Sequence, residues 1–268
     1  MSYVQVDRGV KLFYQDWGMG PVILFVHGWL QSHRAWDYQT NDLSNRFRTI
    51  TYDLRGHGES DKPCSLYTYS EYAMDLYNLM LMLNLCNVTL VGWSLGSGII
   101  TEYLRLFGSE RVSKFVSVGG TIPKMLSDKS WPYGLSTEFY ESAYRGLHYT
   151  RAEFQRNFEY SAFVRKTVGN DTKEWLWINS MQTSLPAAVR TIISVRDADF
   201  RAFIPFIRIP FALFQGAKDQ LTSPEAAMWI MKNNPAAKLV MFEESGHSPF
   251  IEEIDKFNKE LERFVLGI

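Results

Sequence analysis

The segment Val88-Thr89-Leu90-Val91-Gly92-Trp93-Ser94-Leu95-Gly96 constrains this 268-residue chain more than any other. An apolar, strand-like run passes through Gly-Trp-Ser-Leu-Gly into Ile99–Phe107, a run of helix formers. A turn that tight needs glycine on both sides of the serine, because a Cβ at Gly92 or Gly96 would hold strand and helix apart. It lifts the serine above the end of its strand and aims the first N–H groups of a helix at the space beside it. G-x-S-x-G also occurs in ordinary turns, so its meaning depends on what the rest of the chain supplies.

The flanking pattern supplies a sheet. Val4–Val6 and Lys11–Trp17 alternate around Asp7-Arg8-Gly9 and predict a hairpin. Val22–Val26, Thr49–Tyr52, Val88–Val91, Val112–Val118, Pro210–Phe214 and Lys238–Phe242 are short runs of the kind a parallel sheet buries on both faces. Helical spacing lies between them, at Ser32–Leu43, Ser70–Leu85 and Ile99–Phe107. Ser223 is an expected N-cap with Pro224 at the first helical position, and Pro249–Val265 closes the chain as a helix. The predicted class is therefore α/β, a mostly parallel central sheet flanked by helices.

From Thr121 to about Ile204 this rhythm stops. The stretch carries Trp131, Tyr133, Phe139, Tyr140, Tyr144, Tyr149, Phe154, Phe158, Tyr160, Phe163, Trp175 and Trp177, with helical and irregular patterning. The expected organisation is a core of residues 1–120 and 205–268 with a mostly helical insertion at 121–204.

Composition removes several function classes. A net charge of −1 with no basic run argues against nucleic acid as a partner. Two cysteines, Cys64 and Cys86, are too few for a disulfide scaffold or a Cys-rich zinc site, and free thiols suit a cytoplasmic protein. No metal-binding histidine pattern is present, so neither a metal nor another cofactor is expected. No run approaches the ~20 apolar residues that span a bilayer, and Met1–Tyr14 lacks a signal-peptide layout, so no membrane partner is expected. Oligomeric state stays open.

In sheets of this class the chemistry gathers at the carboxyl ends of strands. Ser94, Asp219 and His247 each follow a predicted strand end, and so does His27-Gly28. A serine hydroxyl needs a base to take its proton, and the base needs an orienting carboxylate. The order Ser94…Asp219…His247 is the one expected for a serine on a strand–helix elbow. Glu243 or Glu244 is the rival for the carboxylate, and Asp219 is preferred because those two share the strand end of His247. Backbone N–H groups of Trp29 and Leu95 are the expected oxyanion donors. His27 is read as a buried brace of that loop and His57 as a turn residue, while His33 and His148 belong to no motif. Trp29, Leu30 and Trp93 are the expected substrate-binding walls, joined by several aromatics of the insertion.

Taken together, His27-Gly28-Trp29, Asp53-x-Arg55-Gly56-x-Gly58-x-Ser60, Gly92-x-Ser94-x-Gly96 and Gly246-His247 resemble the α/β-hydrolase superfamily over nearly the whole chain. Asp16-Trp17-Gly18, His27-Gly28-Trp29-Leu30, Ala198-Asp199-Phe200-Arg201 and Ile207-x-Ile209-Pro210 are most similar to small bacterial aryl esterases and cofactor-free haloperoxidases (perhydrolases). The resemblance implies that the insertion is a lid and that an ester is hydrolysed through an acyl-enzyme. Members that favour peroxide over water tend to carry Pro where this chain has Leu30. Trp93 and Ser97 depart from the Gly-Phe-Ser-Met-Gly-Gly of many relatives. The expected activity is a serine hydrolase cleaving a medium-sized, apolar or aromatic carboxylic ester or lactone. The alternatives are acyl transfer to a non-water acceptor such as peroxide, C–C bond hydrolysis, and a catalytically silent ligand receptor on the same fold.

Overall fold

The computed structural model of the chain describes residues 2–163 and 168–268. Residue 1 and residues 164–167, which fall within the expected core and insertion, lie outside the described residues. The apolar runs form β3 (Val22–Val26), β4 (Arg48–Tyr52), β5 (Val88–Trp93), β6 (Val112–Val118), β7 (Phe211–Gly216) and β8 (Ala237–Phe242), all paired in parallel. β1 (Ser2–Asp7) and β2 (Val10–Trp17) form the expected hairpin and join the sheet antiparallel to β4. The eight-strand order is β1-β2-β4-β3-β5-β6-β7-β8. The chain steps outward from β3 to β4, then crosses back to β5, so the winding reverses between β3 and β5. That reversal opens a crevice at the strand carboxyl ends.

Register decides what meets there. Val26 of β3 lies level with Gly92 of β5, which sets the His27-Gly28 loop beside Ser94. Gly216 of β7 lies level with Phe242 of β8, which sets the loop bearing Asp219 beside the one bearing His247. Alternation along β3 feeds two apolar layers: Leu24 and Val26 pack into one, Ile23 and Phe25 into the other. On the first face lie α2 (Tyr69–Met82), α3 (Leu95–Phe107) and α8 (Pro224–Asn233); on the second lie α1 (Asp37–Leu43) and α10 (Ile254–Leu266). Ser223 caps α8 as expected, its hydroxyl accepting from Glu225 N at 3.1 Å. Between β6 and β7 the chain forms α4 (Thr137–Tyr149), α5 (Arg151–Ser161), α6 (Asn170–Ser180) and α7 (Leu185–Asp197).

Two helices differ from expectation. The segment expected as one helix from Ser32 begins as a 3-10 turn, His33–Trp36, before α1. The closing helix breaks at Glu253 (φ −133°, ψ 56°) into α9 (Pro249–Glu252) and α10. The break has a use: Glu252 Oε2 accepts from Gly246 N at 2.8 Å, and Glu253 Oε2 accepts from Ser245 Oγ at 2.6 Å and Glu244 N at 3.1 Å. Both carboxylates thereby pin the loop that carries His247.

Candidate active site

Ser94 sits at φ 52°, ψ −114°, a conformation that L residues adopt only at a cost of about 1–3 kcal/mol. Its neighbours hold it there. Ser94 N donates to Val118 O at 2.9 Å, and Ser94 O accepts from Ser97 N at 3.0 Å and Thr121 N at 3.2 Å. A Cβ on Gly92 would come within 2.5 Å of the Gly96 backbone, and one on Gly96 within 2.3 Å of Val26 O, so both glycines are sterically required. Ser97, one of the departures noted above, is buried; its hydroxyl donates to Gly92 O at 2.6 Å and accepts from Ser117 Oγ at 2.9 Å. That departure belongs to the support of the turn and not to the cavity.

His247 Nδ1 donates to Asp219 Oδ2 at 2.8 Å, and both side chains are buried. The carboxylate is saturated with donors. Asp219 Oδ1 accepts from Leu221 N at 2.8 Å and Thr222 N at 3.0 Å, and Oδ2 also accepts from Thr222 Oγ1 at 2.7 Å. Burial alone would raise its pKa, but the adjacent His247 and the Thr222 hydrogen bonds outweigh it and hold the carboxyl below its ordinary value. With Nδ1 committed to Asp219, Nε2 is the free ring nitrogen. Ser94 and His247 line the same cavity. Glu244 pairs instead with Lys218 at 2.7 Å, and Glu243 is exposed.

His247 is also fixed through its backbone. Its N–H donates to Ala162 O, just after α5, at 2.9 Å, and its carbonyl accepts from Trp93 Nε1 at 2.9 Å. Trp93 lines the cavity, and its contact with the His247 carbonyl was not legible from the motif.

The 27–31 loop is braced from both sides. His27 Nδ1 donates to Gly28 O at 2.8 Å while Nε2 accepts from Leu54 N at 3.0 Å. Burial lowers the His27 pKa to about 4, so the ring is neutral at pH 7 and acts as a brace. The helices after β6 hold the other side: Trp29 Nε1 donates to Ala188 O at 3.0 Å, Gln31 Nε2 to Leu176 O at 3.1 Å, and Thr183 Oγ1 to Leu30 O at 2.8 Å. Among the described residues no backbone carbonyl accepts from Trp29 N or Leu95 N, and both residues line the cavity. Leu30 does not. At φ 68° it is fully buried in the core layer, a correction to its expected place on the cavity wall. His57 is a buried turn residue, its pKa lowered to about 3 by burial. His33, which belongs to no sequence motif, pairs with buried Asp53 at 2.8 Å.

The cavity is tight, with about 600 Å³ of space between atoms only when its open mouth is counted. Its walls are mostly apolar, with Trp29, Met125, Leu135, Phe139, Phe158, Ile192 and Val195 prominent. Of the twelve aromatics named above in the insertion, Phe139, Tyr140 and Phe158 reach it; Tyr149, by contrast, is 83% exposed. Thr121, Thr222 and Glu159 also line it and escaped the sequence reading. Glu159 had a signal. Phe154/Phe158 and Gln155/Glu159 are each four apart on α5, so the turn that carries Phe158 to the cavity brings the adjacent Glu159 to its margin. Among the described residues no group of His, Cys, Asp and Glu is arranged to hold a metal ion, and no helix is long and apolar enough to cross a membrane.

The sheet order, the winding reversal at β3/β5 and the serine elbow define an α/β-hydrolase fold. The profile of that family, described as the alpha/beta hydrolase fold, matches residues 21–254, and the chain belongs to the family. A structure described as an esterase from Exiguobacterium antarcticum superposes with a TM-score of 0.95 at 30% identity, covering 98% of each chain. A non-heme haloperoxidase from Rhodococcus erythropolis is 30% identical, with 99% of each chain covered. A bifunctional esterase/perhydrolase from Acinetobacter calcoaceticus is 28% identical over 99% of each.

Proposed function

We propose that the protein is a serine hydrolase of apolar or aromatic carboxylic esters or lactones, with residues 121–204 as its lid. His247 Nε2 takes the Ser94 proton as Oγ attacks the ester carbonyl, and Asp219 orients the imidazole and balances its charge. The Trp29 and Leu95 N–H groups receive the developing oxyanion. Imidazolium then protonates the leaving alcohol. A water deprotonated by His247 attacks the acyl-enzyme, and collapse releases the acid and restores Ser94. The observation that carries this reading is the strained Ser94 at the cavity wall it shares with His247, whose Nδ1 lies 2.8 Å from buried Asp219. The mostly apolar wall supports the substrate class, and the exposed, unpaired Cys64 and Cys86 suit the cytoplasm. The test is turnover of a series of aryl and alkyl esters. Ser94→Ala is expected to cost about 10⁴–10⁶ in kcat; wild-type rates in that variant would contradict the reading.

A second reading has support in the names of two relatives, a haloperoxidase and a bifunctional esterase/perhydrolase. The same acyl-enzyme would pass its acyl group to hydrogen peroxide, releasing a peracid. Product analysis with peroxide added to the ester assay separates the two: peracid in excess of free acid favours the second, and free acid alone the first.

A further inference from the structure

We propose that Glu159 determines specificity in this cavity by receiving a hydroxyl or amide N–H carried on the arm of an uncharged substrate. This rests on the reading of the cavity as a hydrolase substrate site. Glu159 lies on α5 with its side chain 98% removed from solvent, yet it lines the cavity that holds Ser94 and His247. Its Oε1 is buried without a hydrogen-bond partner among the described residues. A buried acceptor left unpaired costs about 1–3 kcal/mol, so the free protein holds a polar group that a ligand can satisfy.

The neighbours decide what kind of ligand. Gln31 is the polar side chain that acts on the Glu159 carboxyl, and it favours the charged form. The amide of Gln31 is held one way round, because Nε2 is committed to Leu176 O at 3.1 Å. Its Oε1 is left buried and without a partner. A proton on one carboxyl oxygen of Glu159 leaves the other as an acceptor. Burial outweighs the opposing effect of Gln31 and raises the Glu159 pKa to about 8, so the carboxyl is mostly protonated at pH 7. A neutral acid among Trp29, Phe158 and Ala162 accepts from a hydroxyl or N–H and repels a carboxylate. Among the described residues Tyr140 Oη is the other buried, unpartnered side-chain polar atom on this wall, so it must be tested alongside.

The test uses matched esters whose acyl or alcohol arm ends in methyl, hydroxyl, carboxylate or ammonium at successive chain positions. kcat/KM is measured for the wild type, and Kd by calorimetry in Ser94→Ala, where binding is read without turnover. In the best position the hydroxyl arm is expected to be favoured over methyl by about tenfold, the effect of one buried hydrogen bond. Glu159→Leu should abolish that ratio, Glu159→Gln should keep most of it, and Tyr140→Phe should leave it in place. An unchanged ratio in Glu159→Leu, its loss in Tyr140→Phe alone, or preference for the ammonium arm overturns the proposal. If esters bind with the Glu159-dependent ratio but are never turned over, the hydrolase reading fails and the recognition stands. If they are turned over with a ratio indifferent to Glu159, the reverse holds.

Discussion

Asp219→Asn should cost far more than its size suggests, and the geometry says how. Oδ1 accepts from two backbone donors, Leu221 N at 2.8 Å and Thr222 N at 3.0 Å. Asparagine will place its carbonyl oxygen there, because an NH₂ group cannot accept from them. The NH₂ then occupies the Oδ2 position, 2.8 Å from His247 Nδ1 and 2.7 Å from Thr222 Oγ1. Thr222 can turn its hydroxyl to accept. His247 can accept only by moving its proton to Nε2, and a protonated Nε2 is no base for Ser94. A wrong-tautomer histidine in a comparable triad loses about 10⁴ in kcat, equivalent to ~5.5 kcal/mol. Steady-state hydrolysis of an aryl ester at pH 7, with folding checked by circular dichroism, measures the effect. Turnover within about tenfold of wild type would refute the reasoning and return the orienting role to another carboxylate. In the wild type the folded carboxyl is held below its ordinary value near 4, so the pairing contributes stability above that value. The contribution is lost as pH falls through the lower folded pKa.

Ser94→Gly should abolish ester hydrolysis while raising Tm by about 2–4 °C, because ~1 kcal/mol of strain at φ 52° is relieved; a lower Tm would contradict the strain reading. Trp93→Phe removes the 2.9 Å hydrogen bond to His247 O but keeps an aromatic ring, and should lower kcat by about tenfold; an unchanged kcat would reduce Trp93 to a wall residue. Glu159→Gln should stabilise the protein in a pH-dependent way. The unfolded carboxyl ionises near 4.3 and the folded one near 8, so the folded state holds the extra proton between those values and wild-type stability falls as pH rises through that window. The variant's Tm advantage is therefore expected at pH 8 and absent at pH 4; an equal difference at both would contradict the raised pKa.

Much of the fold was legible because strand identity here is an apolar run and strand ends carry the chemistry. Val22–Val26 and Val112–Val118 appear with the expected bounds, and Asp219 and His247 meet because β7 and β8 end in register. What stayed hidden depends on contacts between distant segments. Nothing in the elbow motif says that Trp93 Nε1 reaches the His247 carbonyl, 154 positions away. Leu30 was misplaced for a local reason: apolar character suggested a pocket wall, but its positive φ turns it into the core. Glu159 was passed over because a carboxylate on a helix is ordinarily a solvated one, and only the packing of α5 over the cavity buries it.

The central claim is an activated serine, and covalent capture tests it most directly. Incubation with a dialkyl p-nitrophenyl phosphate at neutral pH, followed by intact mass and peptide mapping, reads out which side chain attacks. One phosphoryl adduct per chain on Ser94 is expected, absent in Ser94→Ala and slowed by orders of magnitude in Asp219→Asn. No adduct, or one on another residue, would contradict it and favour a silent ligand receptor built on the same fold.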